Sequence, residues 1–177
     1  MNIQHAFIAV LFAGVAASPS LGGIEDFKTG PLIAEYGPVV VVPGAEPLAA
    51  NTVFNVSFDV MEQGEKDAVN RRFESAARFL NMHAAMGVAQ ENMKLAVVVH
   101  GPAIFDLTND TVYGGANKNA DLIKLLLANG VTIQVCGQSA ASRDVKTEDL
   151  LPGVKMAVSA MTAHALLQQQ GYTLNPF

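Results

Sequence analysis

Leu95-Ala96-Val97-Val98-Val99 is five consecutive apolar residues without a polar interruption. A strand with one wetted face alternates. A run this short and this continuous predicts a strand covered on both faces, as in a parallel sheet lying between helical layers. The flanking segments agree with it. Phe54, Val56, Phe58 and Val60 alternate with Asn55, Ser57 and Asp59, the pattern of a half-buried strand. Val69, Phe73, Ala76, Ala77, Leu80 and Ala84 recur at helical spacing, and Gly87 predicts the end of that helix. Leu122 to Leu127 predicts a second helix, capped by Asn117 or Asn119 and closed by Gly130. Val131 to Val135 reads as the next strand, and Thr147 to Leu151 as a short capped turn of helix closed by Pro152-Gly153. Val154 to Val158 is a fourth strand, Ser159 caps a helix running through Gln170, and Tyr172-Thr173-Leu174 supplies a last short strand. Alternating strands and helices imply right-handed crossovers and a single three-layer α/β/α domain with a mainly parallel sheet.

Upstream of this pattern the chain changes character. Ala6 to Ala17 is an apolar run, and no charged side chain occurs before Glu25. The run is too short for a spanning helix, which needs about 20 residues, and suits the apolar region of a secretory leader. Val15-Ala16-Ala17 offers the small residues a signal peptidase requires, and Pro19 follows. The expectation is a signal peptide over 1–17, cleaved near 17–23, and a mature protein that is periplasmic or secreted. No cysteine follows the run to take a lipid, and no other segment predicts membrane insertion after cleavage. Gly30-Pro31, Gly37-Pro38, Pro43-Gly44 and Pro47 then predict an extended arm over 24–51, with Val39 to Val42 as a short strand or an apolar strap. The α/β domain occupies 52–177. Phe79, Met82 and Met86 add a second apolar stripe to the first helix, suited to core packing or to a subunit interface.

Composition removes several functions. The net charge of −5 excludes nucleic acid as the natural partner, since phosphate binding needs a basic surface. A single cysteine excludes an internal disulfide, a cysteine-rich zinc site and a C-x-x-C redox pair. Neither G-x-G-x-x-G nor a P-loop follows the first strand, and no G-x-S-x-G is present, so no cofactor is expected. The histidines show no compact metal-binding spacing, so no metal is expected either.

Two reactive side chains stand at the ends of strands, where ligands collect in open α/β sheets: His100 after Val99 and Cys136 after Val135. If those strands are neighbours, both residues face one crevice. Gly137-Gln138-Ser139 offers backbone N–H groups to an anion there, and such donors, with a nearby histidine, lower a thiol pKa. Cys136 then reads either as a reactive thiolate or as a small buried hydrophobe. His100-Gly101-Pro102 reads either as a site or as a plain turn. Asp59 lines the same cleft or ties down a loop, while His83 and His164 sit within helices as surface or internally satisfied residues.

The stretch from Leu95 to Tyr172 resembles the DsrE-like family, the DsrE/DsrF/TusD sulfur-relay group. The resemblance rests on Val97-Val98-Val99-His100-Gly101, on Asn129-Gly130-Val131-Thr132-Ile133-Gln134-Val135-Cys136-Gly137-Gln138, on Asp149-Leu150-Leu151-Pro152-Gly153-Val154, and on Gln170-Gly171-Tyr172. Phe58-Asp59-Val60 and Arg78-Phe79-Leu80-Asn81 are similar to a secreted branch of that family. The resemblance implies a five-stranded parallel sheet, a homo-oligomer (trimer or hexamer), and a sulfur donor or acceptor protein as partner. It further implies that Cys136 carries a persulfide; the expectation drawn from the residues adds His100 tuning the thiol, with Gly137, Gln138, Gly101 and Asp59 holding the terminal sulfur or an anion. Two other expectations stand beside it: a non-catalytic oligomeric module that binds a small anion, with a structural Cys136, and a thiol redox sensor.

Overall fold

The computed structural model describes residues 23–49 and 51–176. The leader expected over 1–17 lies outside the described residues. Within them, strands β1 (Phe54–Val60), β2 (Met93–Val99), β3 (Thr132–Cys136), β4 (Lys155–Ala157) and β5 (Thr173–Asn175) form one sheet in the order β4-β3-β2-β1-β5. Every pairing is parallel. Helices α1 (Arg71–Ala85), α2 (Asp110–Tyr113), α3 (Ala120–Ala128), α4 (Gly137–Ala141) and α5 (Ala160–Gln169) make the connections.

The two faces of the sheet are unequal. On one, Phe58, Leu95, Val97 and Ile133 pack against Phe73 and Leu80 of α1 and Leu122 and Leu126 of α3. On the other, only a small cluster forms, with Ala96 and Val98 of β2 meeting Ala163 and Leu167 of α5. Alanines dominate that second contact, so a single helix lies close to the strands and leaves their carboxyl ends uncovered.

Local chemistry explains the elements. Asn70 caps α1 by accepting from the Arg72 N–H, and Ser159 caps α5 by accepting from the Thr162 N–H. Asn119 occupies the N-cap position of α3 without a side-chain capping bond. Its Oδ1 instead accepts from the Asn70 N–H at 2.7 Å, and the capping expectation gives way to a buried network. In that network Asp106 Oδ2 accepts from the Gly64 N–H at 2.7 Å and from Asn70 Nδ2 at 2.8 Å. Asn117 Nδ2 donates to the carbonyls of Asp106 and Thr108, and its Oδ1 accepts from the Asn119 N–H. The loop after β1 is thereby tied to the segment after β2.

Three further differences have simple causes. His100-Gly101-Pro102, read as a site or a plain turn, leads into a 3-10 helix over Gly101–Leu107. Residues 137–141 continue from β3 as α4, which apolar periodicity does not announce in Gly-Gln-Ser-Ala-Ala. The fourth strand shortens to Lys155–Ala157 because the Val154 N–H turns back to the Leu151 carbonyl and Val158 is exposed.

Asn81 makes most of the side-chain hydrogen bonds to the arm, and Glu74 Oε1 adds one by accepting from the Gly37 N–H at 3.3 Å. Asn81, fully buried in α1, accepts from the N–H groups of Leu32 and Ile33 and donates to the carbonyls of Ile33, Tyr36 and Gly37. Ile33 is buried beside it in the main core. Beyond, Lys28 and Val39 form an isolated antiparallel bridge, and Val39 to Val42 share an apolar groove with Met82 and Met86. The valine run is thus a strap rather than a strand. The arm faces Met82 and Met86 of the second helical stripe, and Phe79 packs on the core. The His83 Nδ1–H donates to the Phe79 carbonyl at 2.8 Å and the ring stacks on Phe54 and Phe79, so it is internally satisfied.

Two stability measurements follow. Asn81→Ala leaves buried backbone groups of the arm unpaired and should destabilise the fold by about 3 kcal/mol in urea titrations. Protease cleavage within 24–49 should accelerate in the same variant. Burial pushes the Asp106 carboxyl above its ordinary value despite hydrogen bonds from Gly64, Asn70 and Gln63. A raised folded value favours folding below the unfolded pKa near 3.9, and that contribution is lost as pH rises through the folded value. Asp106→Asn should therefore gain stability relative to the parent as pH rises above about 4, the unfolded value. A difference that stays constant across that rise shows that the folded Asp106 carboxyl is not shifted from its unfolded value.

Candidate functional site

The register of the sheet brings the site together. Val98 pairs with Asp59 on one side and with Gln134 on the other. Side chains repeat every two residues along a strand, so Asp59, His100 and Cys136 all belong to the face covered by α5. His100 and Cys136 stand one step beyond the Val99–Val135 pair, on adjacent strands about 4.8 Å apart. The His100 N–H continues the ladder to the Val60 carbonyl at 2.9 Å, which holds that residue in line with β2.

A cleft of about 470 Å³ runs alongside α5, lined by Asp59, His100, Cys136, Gln138, Ser159, Ala160, Met161, His164, Gln168 and Leu174. Cys136 forms part of its wall although only 6% of the residue is exposed. Burial acts to raise the thiol pKa. It is outweighed by the Ser139 hydroxyl and the N–H groups of Ser139, Ala160 and Gln138, which leave the thiol below its ordinary value. The donors come from the first turns of two helices that start on either side of the sulfur. The Gly101 N–H donates to Ser139 Oγ at 3.0 Å, which leaves the hydroxyl proton free to turn to the sulfur.

The glycines expected at the ligand shape the cleft instead of lining it. A side chain on Gly137 would place its Cβ 2.6 Å from the Ala157 carbonyl oxygen, so glycine is what lets α4 begin against β4. Gly101 has φ 58° and lies against Met61, and its N–H is committed to Ser139. Gln138 is exposed and donates to the Val158 carbonyl at 3.4 Å, beside the cleft mouth.

Asp59 is the hub. Its Oδ2 lies 3.1 Å from His100 Nε2, and its Oδ1 lies 2.8 Å from His164 Nε2. Burial would raise the Asp59 carboxyl, but the two histidine hydrogen bonds and their charge hold it below its ordinary value. His164, read as a surface or satisfied helix residue, therefore belongs to the site. The sign of this lies in α5 itself: Ala160, Ala163, His164 and Leu167 make one inward stripe, and a polar residue on that stripe needs a partner. That partner is 105 residues away in sequence, on a different strand. The Ser139 hydroxyl was likewise not singled out, only its N–H. Among the described residues, no group of three or more His, Cys, Asp or Glu side chains is arranged to hold a metal ion.

The thiol gives a direct test of this geometry. Alkylation of native Cys136 by iodoacetamide should titrate below the midpoint of the unfolded chain, near 8.5 for a free cysteine. Ser139→Ala should move that midpoint upward. An unchanged midpoint removes the hydroxyl from the account of the thiolate.

Comparison with known proteins places the architecture. No curated protein matches the chain. Among solved structures, it is similar to a protein of unknown function, MTH1491, from Methanobacterium thermoautotrophicum, with a TM-score of 0.55 at 19% identity over 70% of this chain and 99% of that one. It is also similar to the ychN protein from E. coli, with a TM-score of 0.52 at 14% identity over 71% of this chain and 100% of that one. At these identities the likeness concerns the fold. A model of the DsrE/DsrF-like family matches residues 55–176, from the second residue of β1 to the residue after β5. That span contains the whole sheet apart from Phe54 and every residue of the cleft, and the chain belongs to the DsrE/DsrF-like family.

Proposed function

We propose that this protein binds sulfane sulfur on Cys136 and passes it on as a persulfide. One observation carries the reading: the only cysteine of the chain lies in the wall of an open cleft, ringed by hydrogen-bond donors that favour the thiolate. A structural cysteine needs neither the donors nor the cleft. In the loading step the Cys136 thiolate attacks the outer sulfur of a donor persulfide, R–S–SH. The donor S–S bond breaks, R–S⁻ leaves, and Cys136–S–SH remains, with no external oxidant required. In the unloading step an acceptor thiolate attacks that outer sulfur and Cys136 departs as a thiolate. The same donors that favour the thiolate make it a good leaving group.

A single cysteine cannot resolve its own persulfide into a disulfide, so the scheme requires a second thiol from a partner. A sulfur donor or acceptor protein fills that role. Val158, Met161, Leu166 and Leu174 are exposed apolar side chains on or beside α5 and β5, and they support association of this face with further copies of the chain as a homo-oligomer. The apolar run Ala6 to Ala17 supports export to the periplasm or beyond.

Incubation of the native protein with polysulfide should add about 32 Da per sulfur in intact-mass spectra. Cys136→Ser should acquire nothing. If the native protein gains no mass while its thiol alkylates at an ordinary rate, Cys136 is a packing residue, and the cleft is better read as a non-catalytic anion-binding site.

A further inference from the structure

His164 and His100 share one carboxylate but differ in what their other ring nitrogen meets. His164 Nδ1 is buried and has no hydrogen-bond partner, while the His100 side chain is 27% exposed at the cleft. A proton on His164 Nδ1 would be buried without an acceptor. The network therefore assigns His164 the Nε2–H tautomer, which donates to Asp59 Oδ1. Its short contact at 2.8 Å, from a residue fixed on the inward stripe of α5, holds the Asp59 carboxylate in place. Asp59 Oδ2 then receives the Nε2–H of His100. A histidine whose Nε2 carries the proton presents Nδ1 as a bare lone pair.

Resting on the persulfide reading of Cys136, we propose that His100 is the general base that takes the proton of the incoming acceptor thiol through Nδ1, with Asp59 and His164 as its positioning residues. An aliphatic thiol is mostly protonated at neutral pH, and only the thiolate attacks. The acceptor S–H bond breaks, its proton goes to His100 Nδ1, and the acceptor sulfur bonds to the outer sulfur of Cys136–S–SH. The Cys136–sulfur bond breaks and its electron pair returns to Cys136 as thiolate. The proton on His100 leaves through the cleft mouth to water. Other ionisable neighbours of this line are few: Cys136 on β3, and Glu62 and Arg72, which share an adjoining cavity with Asp59. The remaining cleft side chains carry no charge.

The test uses the full protein loaded with polysulfide, with transfer rates normalised to the persulfide present. Two acceptors are compared: an aliphatic thiol such as cysteine, and an aryl thiol that is already ionised at neutral pH. His100→Gln should slow transfer to the aliphatic thiol by about 100-fold and leave transfer to the aryl thiolate unchanged. Asp59→Asn, which reverses the hydrogen bond that sets the tautomer, should show the same selective defect. If His100→Gln is poorly folded, Asp59→Asn and His164→Gln carry the comparison. Equal slowing with both acceptors indicates damage to the cleft and overturns the base assignment, as does an undiminished rate with the aliphatic thiol. Failure of the parent protein to load is a different result: it rejects the persulfide reading itself.

Discussion

Covering β2 on both faces is the constraint from which the rest follows. Leu95, Val97 and Val99 enter the large core, while Ala96 and Val98 face α5. A strand buried in this way occupies the middle of the sheet, needs a helical layer on each side, and is joined by crossovers that make its neighbours parallel. Parallel strands all end at the same edge. One packing demand thus delivers Asp59, His100 and Cys136 to a single place without any of them contributing to the core.

The inequality of the two faces decides what that place becomes. Against α1 and α3 the sheet presents large side chains and is closed throughout. Against α5 it presents alanine and valine, and α5 begins only after Ala157 has ended β4. The first turn of α5 therefore borders the cleft instead of covering it. Its N–H groups and those of α4 converge on Cys136, whose side chain has lost water but gained directed donors. In a partly dry cleft such donors act more strongly on a charged sulfur than the same groups would in water. The donor-ringed setting of the thiol is a consequence of an incompletely covered sheet edge.

The polar residues inside the domain perform the positioning that apolar packing cannot. Asn70, Asp106, Asn117 and Asn119 lock the loop after β1 to the segment after β2, while Asn81 fastens the arm to the outer surface of α1. The first network sits directly behind the strand ends that carry Asp59 and His100. Hydrogen bonds are directional where apolar contact is not, so a buried polar network can fix a loop of this kind. Asp59, held by His164, applies the same device within the cleft.

Much of this was legible in the sequence because it depends on local pattern. Strand and helix periods, the stops at Gly87 and Gly130, the Ser159 cap and the adjacency of consecutive strands β2 and β3 are set by neighbouring residues, and these place His100 and Cys136 at one edge. Residues 101–107 and 137–141 carry no periodicity, and their helices form because tertiary contacts hold them. Asn119 looked like a cap by its position, yet its side chain found a buried partner in Asn70. What the sequence alone determined is an α/β layout with a thiol and a histidine at the carboxyl ends of adjacent strands. Only the tertiary structure decided that His164 joins them through Asp59, and that Cys136 opens on a cleft. Both depend on how far α5 extends over the sheet and how it is rotated, which is settled by its packing on Ala96 and Val98 of β2 and by the His164–Asp59 contact between residues 105 positions apart.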